Sequence, residues 1–576
     1  MQASINTIDN IVSNGALIKD KTKIAEAFKQ HFESCATNLA SNLPKGQDTS
    51  TIMPEGDTWS FSPTTEVEIF KIIRSLKSKN SSGFDLLSNT MIKKEAHAFS
   101  KILKPLINES IQTGIFPDCL KTANVIPIYK KGDTTNLNNY RPISLLPVMS
   151  KIYEKILNAQ LTKVIEPRFI DDNQFGFRRE HSTEDAVLKF VDKLESDLAK
   201  GLHVVSVYVD VSKAFDSCDH DIIANKLKRV GLSGSGIELM KSYLKDRKQI
   251  VCVNGKRGGI FYINIGVGQG TVLGPTLFKI YIMDLHLHTS LFCVKFADDS
   301  SFEGSGNSRE SAEQTVNNEL IKISTWFKNN RLTLHPGKSR CMIHSRDKLM
   351  RIMIDGVEVQ RCGYGLQEES VKLLGVKIDE NLDWREHVRE VEKKIAKGNY
   401  LLWRHKKKLN LSIKRLIYES FVRSHLLYCI SVWGGASNVV LKPLDKAVHK
   451  VWKKIGNYKM HTLDRLKSNN LLKIEDELAV QEAKIVWKWE KQKIPKGLAE
   501  IIKEKTDNLR GRRFEKQRNA KASSISIRLA NRAQQEIHSI SNSKTKKGLT
   551  TSLRKQLFEA KYRFTCTQRN CYICSD

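Results

Sequence analysis

Long hydrophobic runs are absent from this 576-residue sequence. No stretch approaches the roughly 18 uninterrupted apolar residues that a membrane-spanning helix needs, and the first ten residues lack the charged and apolar segments of a secretion signal. Internal repeats with periods of about 20–50 residues are also absent, which argues against a solenoid or a propeller. We therefore expect a globular protein that is neither secreted nor membrane-bound, with a nuclear and/or cytoplasmic location.

Acidic residues are scarce relative to basic ones. The chain has 63 Asp and Glu against 94 Lys and Arg, a net charge of +31, and residues 501–576 alone carry 18 basic and 6 acidic residues. Such an excess favours a polyanionic partner, and nucleic acid is the commonest, because each phosphate that a cation neutralises releases a counterion. The alternative for the C-terminal segment is a merely solvated surface.

Cysteines are few and mostly isolated, 11 in all, which favours reduced thiols over a disulfide framework. Three of them, Cys566, Cys571 and Cys574, have the spacing of a zinc knuckle. A structural zinc site needs four ligands, and only two residues follow Cys574, so we expect no zinc there.

The N-terminal segment contains one clear helical pattern. Ile24, Ala27, Phe28 and Phe32 share a helix face, and the polar stretch 45–58 is typical of a linker.

Three carboxylates follow apolar strand patterns further along the chain. Residues 203–216 (HVVSVYVDVSKAFD) predict a strand that ends near Asp210, and residues 292–304 (FCVKFADDSSFEG) predict a hairpin with Asp298 and Asp299 at its turn. Between them, residues 266–275 (GVGQGTVLGP) form a Gly-rich loop that leads into an apolar helix.

A second helix is predicted after the hairpin. Ser311 with Gln314 matches a capping box, and an apolar face follows at helical spacing, formed by Val316, Leu320, Ile323 and Phe327. The order of strand, helix, hairpin and helix predicts an α+β layer with helices on one side of a mostly antiparallel sheet.

Asp210, Asp298 and Asp299 would repel one another at close range unless a cation lay between them. Their oxygens suit Mg²⁺, and two such ions about 4 Å apart can support in-line nucleotidyl transfer. By itself, an Asp-Asp pair in a turn most often only stabilises the turn. The assignment of a metal site therefore depends on the combination of this pair with the Gly-rich loop and the basic strands nearby.

The motifs YVDVSKAFD, GVGQGTVLGP and FADDS, in this order, resemble those of reverse transcriptases from eukaryotic non-LTR retrotransposons of the jockey-like type. The resemblance extends to IPIYKKGD, NYRPISLLP, NQFGFRREHST, WFKNNRLTLHPGKS and VKLLGVKID, and spans about residues 60–480. Phe296 in FADD, where retroviral enzymes usually carry YMDD, indicates the non-LTR branch.

The resemblance implies roles for individual residues. Asp210, Asp298 and Asp299, with the carbonyl of Val211, would hold two Mg²⁺ ions, with Mn²⁺ as an alternative. Phe215 would exclude a ribose 2′-hydroxyl. The other positions would contact or support the nucleotide: Gln269 and Gly270 in the loop beneath it, Lys130 and Arg141 at the triphosphate, and Lys338 at the departing pyrophosphate.

The implied fold is a right-hand α+β polymerase of fingers, palm and thumb with an antiparallel palm sheet, followed by a mainly helical basic C-terminal region. The expected boundaries are a connector at 1–60, fingers at 61–200, palm at 201–380 within a core of about 110–380, helical thumb at 381–470 and the basic region at 471–576. Aromatic and basic residues alternate in the thumb, which suits contact with a primer-template, although most of the aromatics are expected in its core.

The implied activity is RNA-directed DNA synthesis from a 3′-hydroxyl primer, with target-primed reverse transcription, using an RNA template, a DNA primer or target and dNTPs. We expect no N-terminal endonuclease and no RNase H in this chain, so an endonuclease would be lost or supplied separately. The main alternative is a catalytically inactive or domesticated nucleic-acid-binding derivative. An intron maturase, a metal-dependent nuclease and an interaction protein without chemistry remain further alternatives.

Overall fold

The computed structural model describes residues 7–13, 15–41, 49, 53–345, 349–455, 466, 468–469, 471–510, 525, 528–529, 531–532, 543 and 545–561. Its strands are β1 (Ile11–Ser13), β2 (Ala16–Ile18), β3 (Ala123–Tyr129), β4 (Tyr140–Leu145), β5 (His203–Val209), β6 (Arg247–Val253), β7 (Lys256–Ile263), β8 (Phe292–Phe296), β9 (Asp299–Gly306), β10 (Arg340–Ile343), β11 (Met353–Ile354), β12 (Val357–Glu358), β13 (Gln360–Cys362), β14 (Ser370–Leu373) and β15 (Val376–Asp379).

Helices precede, separate and follow these strands along the chain. They are α1 (Lys21–Ser41), α2 (Glu66–Ser75), α3 (Asn89–Lys94), α4 (Ala96–Thr113), α5 (Val148–Phe169), α6 (Thr183–Ala199), α7 (His220–Arg229), α8 (Gly234–Leu244), α9 (Gly274–Tyr281), α10 (Arg309–Asn329), α11 (Arg385–Arg404), α12 (Leu411–Tyr418), α13 (Ser424–Leu427), α14 (Ile430–Trp433), α15 (Asn438–Ile455), α16 (Ile474–Glu490), α17 (Lys496–Arg510) and α18 (Lys546–Lys561). None of the helices in the described ranges combines the length and apolar composition that a membrane crossing requires.

The largest sheet, here called the central sheet, has five strands in the order β13-β10-β5-β9-β8. Strands β10, β5, β9 and β8 pair antiparallel, as expected, whereas β13 pairs with β10 in parallel. The sheet is therefore mixed rather than wholly antiparallel.

Both faces of the central sheet are covered by helices. Along β5, Val205, Val207 and Val209 belong to one apolar core, and Val204 and Tyr208 belong to another. The first core is built with residues of α2, α4, α5, α8, α9 and α10, and the second with residues of α6, α11, α15 and α16. The expectation of helices on one side only is wrong, because β5 is apolar at nearly every position and needs cover on both faces.

Helix α10 shows how local sequence sets an element. Ser308 caps its N-terminus by accepting a hydrogen bond from the Ser311 N–H at 3.1 Å, so the cap lies one turn before the predicted Ser311. Ser308 is the N-cap because its hydroxyl accepts a hydrogen bond from an N–H of the first turn that would otherwise be unpaired. The predicted apolar face is confirmed as buried: Val316, Leu320, Ile323 and Phe327.

A second sheet of four strands, in the order β4-β3-β6-β7, is covered by α1. The predicted face of α1 is confirmed, since Ile24, Ala27, Phe28 and Phe32 are buried in a core that includes Tyr140. The described part of the stretch 45–58 packs against the protein as well: Gly56 N–H donates to the Arg229 carbonyl at 2.9 Å. The N-terminal segment is thus an integral layer of the fold.

The described C-terminal residues also join the second core. Leu549 and Leu553 of α18 are buried there, and Arg554 donates to the buried Glu477 carboxylate of α16 at 2.6 Å. Arg423 donates to the same carboxylate at 2.8 Å. The C-terminal helices are therefore anchored on the preceding helical region.

Candidate active site

The strand register brings the three predicted carboxylates together. Antiparallel pairing of β5 with β9 ends at Val209 opposite Ser300, so the next positions, Asp210 and Asp299, lie side by side. Asp298 occupies the two-residue turn between β8 and β9. Solvent reaches all three carboxylates.

The electrostatics indicate that these groups share one site. Partial burial raises the pKa of Asp299 to about 6, and repulsion from Asp298 and Asp210 adds to the shift. Because its side chain is still solvent-accessible, the shift reflects partial rather than full burial. Lys130 and Arg141 oppose the shift through their positive charges.

Lys130 and Arg141 come from the second sheet. Lys130 follows β3 and Arg141 lies in β4, and both side chains are exposed. The β3-β4 pairing places Ile128 opposite Arg141, so the two cations lie near one end of the hairpin. The structure therefore brings both predicted basic residues to the carboxylates.

The backbone of Asp210 is fixed by a loop that follows α10. Its carbonyl accepts the His335 N–H at 2.9 Å, and its N–H donates to the Ser339 hydroxyl at 3.2 Å. Val211, the predicted carbonyl ligand, is bridged to Leu334 in the same loop. Lys338 belongs to this loop and is exposed, so the fold brings its backbone close to the site.

A segment absent from the sequence-based site assignment holds the Asp298 turn. Phe175 N–H donates to the Lys295 carbonyl at 2.8 Å, and a Cβ on Gly176 would lie 2.3 Å from the Ala297 nitrogen. Ala297 has a φ of 58°, which costs a non-glycine residue on the order of 1 kcal/mol or more. Close packing against residues 173–176 keeps the turn in this conformation.

Phe215 is half-buried and its ring is held on two sides. It stacks on the buried Phe278 at a centroid distance of 4.4 Å and meets the exposed Phe177 edge-on at 6.0 Å. Phe215 follows Asp210 by five residues, and its proximity to the carboxylates stays a prediction. Phe177 was missed, although it lies in the NQFGF motif.

The Gly-rich loop packs between Phe215 and the second sheet. Val267 N–H donates to the Phe215 carbonyl at 2.8 Å, and the Gln269 carbonyl accepts the Ser144 N–H at 2.7 Å. Gly270 has a φ of 99°, and a Cβ there would lie 2.9 Å from the Ser144 carbonyl oxygen. The predicted loop residues Gln269 and Gly270 are thus fixed against β4, the strand that carries Arg141.

Asp216 is a further carboxylate that sequence reasoning missed. Gln269 Nε2 donates to its two oxygens at 3.0 and 3.2 Å. Burial raises the pKa of Asp216 to about 6, while the Gln269 hydrogen bond and the charges of Lys213 and Arg141 oppose the shift. Its position directly after Phe215 in YVDVSKAFD was the available signal.

The donor set fits a hard divalent cation. Three carboxylates outnumber the two cations that face them, and carboxylate oxygens are the ligands that Mg²⁺ prefers. Over the ranges described, no three His, Cys, Asp or Glu side chains already surround a common point. Cys566, Cys571 and Cys574 lie outside the described residues.

The helical region after residue 380 presents a mixed basic and aromatic surface. Tyr418 and Trp433 are buried in the core, whereas Trp403, Phe421 and Tyr428 are exposed. The expectation that most of these five aromatics are core is wrong, because Trp403 of α11, Phe421 of the π-helical turn Glu419–Arg423 and Tyr428, which follows α13, face outward.

Comparison with known proteins supports the sequence motifs. Residues 128–378 match the family described as reverse transcriptase (RNA-dependent DNA polymerase). The chain is 30% identical over 408 residues to "RNA-directed DNA polymerase from mobile element jockey" of Drosophila funebris, an alignment that covers 68% of this chain and 44% of that protein.

Two further relatives come from Drosophila melanogaster. The RNA-directed DNA polymerase from mobile element jockey is 28% identical, with 72% of this chain and 47% of the relative aligned. The probable RNA-directed DNA polymerase from transposon BS is 28% identical, with 73% and 48% aligned. The chain thus spans about half the length of the curated relatives it matches. The family match and these relatives agree: residues 128–378 form a reverse transcriptase domain, and the chain is similar to RNA-directed DNA polymerases of mobile elements.

Proposed function

We propose that this chain is an RNA-directed DNA polymerase that extends a 3′-hydroxyl primer with dNTPs on an RNA template. The observation that carries the proposal is that Asp210, Asp298 and Asp299 lie within electrostatic reach of one another and of Lys130 and Arg141 at one solvent-accessible edge. Carboxylates suit metal binding and the basic side chains suit a triphosphate, so the two groups of opposite charge match the needs of nucleotidyl transfer.

The three carboxylates would hold Mg²⁺, with the Val211 carbonyl as an additional oxygen ligand. When bound, the ions would activate the primer hydroxyl and stabilise charge on the leaving pyrophosphate. Mn²⁺ offers the same oxygen-preferring chemistry and is the alternative ion.

The chain's own side chains would bind and orient the nucleotide. Arg141 can grip phosphate oxygens in a bidentate manner, and Lys130 adds a point charge beside it. Phe215, held between Phe278 and Phe177, would present a fixed ring edge to the sugar. Lys338 would donate a proton to the departing pyrophosphate.

The right-hand arrangement follows from the same assignment. The central sheet would be the palm, the second sheet with its neighbouring helices the fingers, and helices α11–α15 the thumb. The thumb surface would contact the primer-template through Lys406, Lys407 and Lys408, which are exposed. The relatives' names describe RNA-directed DNA polymerases from mobile elements. Target-primed reverse transcription is the mode that the resemblance of the motifs implies, and we propose it for this chain.

A catalytically inactive, domesticated derivative is the second candidate, and no specific observation favours it. All three carboxylates are present, and the strand register places Asp210 beside Asp299, where the two could share an ion.

Primer extension with the full chain tests the proposal. An RNA template annealed to a DNA primer should yield Mg²⁺-dependent extension with dNTPs and much less with NTPs. Chelation of the ion should abolish extension, and pre-digestion of the template with RNase should do the same. Absence of extension with both Mg²⁺ and Mn²⁺, by a protein that still binds the primer-template, would overturn the proposal.

A further inference from the structure

Asp216 is not one of the three carboxylates assigned to metal binding, and it contacts the side chain of Gln269. The Gln269 Nε2 lies 3.0 and 3.2 Å from the two Asp216 oxygens. A carboxylate only accepts, so the amide must present its NH₂ end to Asp216. The carbonyl Oε1 is then the end of the amide that Asp216 leaves available as an acceptor.

The backbone around Gln269 is held by hydrogen bonds and close packing, so only the conformation of its side chain can vary. The Gln269 carbonyl is hydrogen-bonded to β4 through Ser144, and Gly270 occupies a left-handed conformation that lets the loop approach the same strand. Ser144 is itself held by Gln249, whose Nε2 donates to its hydroxyl at 3.2 Å. A long side chain on a fixed backbone still has several rotamers, and the contact with Asp216 selects one of them.

The Asp216 backbone is tied to the same loop. Gly266 N–H donates to the Cys218 carbonyl at 2.7 Å, and a Cβ on Gly266 would lie 2.7 Å from the Asp216 carbonyl oxygen. The loop therefore packs directly against the 3₁₀ turn Ala214–Ser217. The position of the carboxylate relative to Gln269 is built into the fold.

Asp216 also faces the basic residues of the site. Lys213 and Arg141 are close enough for their charges to act on it, and Arg141 acts on Asp299 as well. Arg141 thus lies within electrostatic reach of two carboxylates on different elements.

We propose that Asp216 is the positioning residue for the incoming nucleotide: it locks the Gln269 amide with Oε1 toward the nucleotide. This inference rests on the proposed polymerase function and adds to it a residue that determines nucleotide affinity.

The primary test is Asp216→Ala in the full chain, measured by steady-state primer extension. Loss of a hydrogen bond to a charged group should raise the KM for dNTP by about 10-fold or more. The kcat should change by less than about 3-fold, and the Kd for primer-template by less than about 2-fold, because the metal ligands and the nucleic-acid surface are untouched.

Asp216→Asn provides the conservative rescue. Its Oδ1 can still accept from Gln269 Nε2, so it should recover most of the lost dNTP affinity. Asp221→Asn, which alters an exposed carboxylate on α7, is the matched control. Circular dichroism and the thermal midpoint of each variant show whether it is folded.

A double-mutant cycle with Gln269→Ala decides whether Asp216 acts through Gln269. In that case the KM increases of the two single variants should not multiply in Asp216→Ala/Gln269→Ala. An unchanged KM in Asp216→Ala, or fully multiplicative effects in the double variant, would overturn the inference.

Failure of the polymerase proposal can be distinguished from failure of the inference about Asp216. If the wild type binds dNTP with primer-template in Ca²⁺ but makes no DNA in Mg²⁺ or Mn²⁺, only the proposed function fails, and the cycle is then measured as dNTP Kd. If the wild type binds no dNTP under these conditions, the inference about Asp216 is overturned as well.

Discussion

At the scale of single residues, the site depends on three carboxylates whose positions are set by the strands that carry them. Asp210, Asp298 and Asp299 come from two strand ends, and the raised pKa of Asp299 shows that their charges act on one another. Replacing one of these carboxylates with an amide of the same shape should therefore reveal the role of that residue.

We predict that Asp298→Asn lowers the rate of DNA synthesis at least about 100-fold while leaving RNA binding nearly intact. The change removes one anionic ligand at constant volume, and metal stabilisation of charge is worth several kcal/mol. Single-turnover primer extension and an RNA-binding titration measure the two quantities, with the exposed Asp9→Asn as control. Extension near the wild-type rate would contradict the metal assignment.

Phe215→Val should lower the preference for dNTPs over NTPs by roughly 10-fold, since a smaller side chain no longer crowds a ribose 2′-hydroxyl. Competitive incorporation of each nucleotide pair gives the ratio. Phe278→Leu, which alters the buried stacking partner, should reduce stability but keep most of the discrimination. If Phe215→Val leaves the ratio unchanged, Phe215 is a core residue only.

At the scale of elements, the central sheet includes a buried charge cluster outside the site. Glu303 of β9 lies 3.4 Å from Lys193, which also pairs with Asp197 at 2.5 Å. Burial raises the pKa of Glu303 to about 7 from its ordinary 4.5; Lys193 opposes the shift, and Asp197 adds to it. The folded state thus binds the Glu303 proton more tightly than the unfolded state does.

The stability conferred by protonated Glu303 is present below about pH 4.5 and is lost as the pH rises through about 7. Glu303→Gln stays neutral, and Asp197 still pairs with Lys193. We predict that this variant is more stable than the wild type by roughly 1–3 kcal/mol at pH 8, with the difference shrinking toward pH 5.

Urea unfolding at both pH values, followed by tryptophan fluorescence, measures that difference. Glu109→Gln, an exposed substitution on α4, should leave the free energy of unfolding unchanged. A Glu303→Gln variant that is less stable than the wild type at pH 8 would show that the Lys193 contact outweighs the burial of the carboxylate.

At the scale of the whole molecule, the excess of positive charge should govern nucleic-acid affinity. Residues 501–576 carry 18 basic residues, but Leu549 and Leu553 within them are buried in the second core. Deleting the segment would expose apolar surface, so neutralising charge is the cleaner test. Five basic residues cluster in sequence at Arg512, Arg513, Lys516, Arg518 and Lys521.

Replacing these five residues with Gln should make the salt dependence of RNA binding shallower, by about 0.7 in slope for each phosphate of a single strand that the variant no longer neutralises. Base preference should barely change, because phosphate contacts carry no sequence information. A salt titration compares this variant with one bearing five Gln substitutions at exposed lysines of the N-terminal helices and their flanks: Lys71, Lys77, Lys94, Lys101 and Lys104. Equal slopes in both variants would assign the segment to a solvated surface or to another partner.

The sequence by itself determined the identities of the chemical groups and the local elements that hold them. The strand before Asp210, the Asp298-Asp299 turn and the apolar faces of α1 and α10 follow from periodicity and turn chemistry, which act over a few residues. The family followed from the same motifs, because their order along the chain is a property of the sequence.

Only the tertiary structure decided how those elements meet. The register of β5 on β9 sets Asp210 beside Asp299, the second sheet brings Arg141 to them, and the Gly-rich loop joins Gln269 to Asp216. These contacts join residues that are distant in the sequence, and the same apolar patterns are compatible with other pairings. Helices on both faces of the central sheet and the exposed Trp403 and Phe421 were likewise set by packing, because periodicity identifies an apolar face but not what covers it.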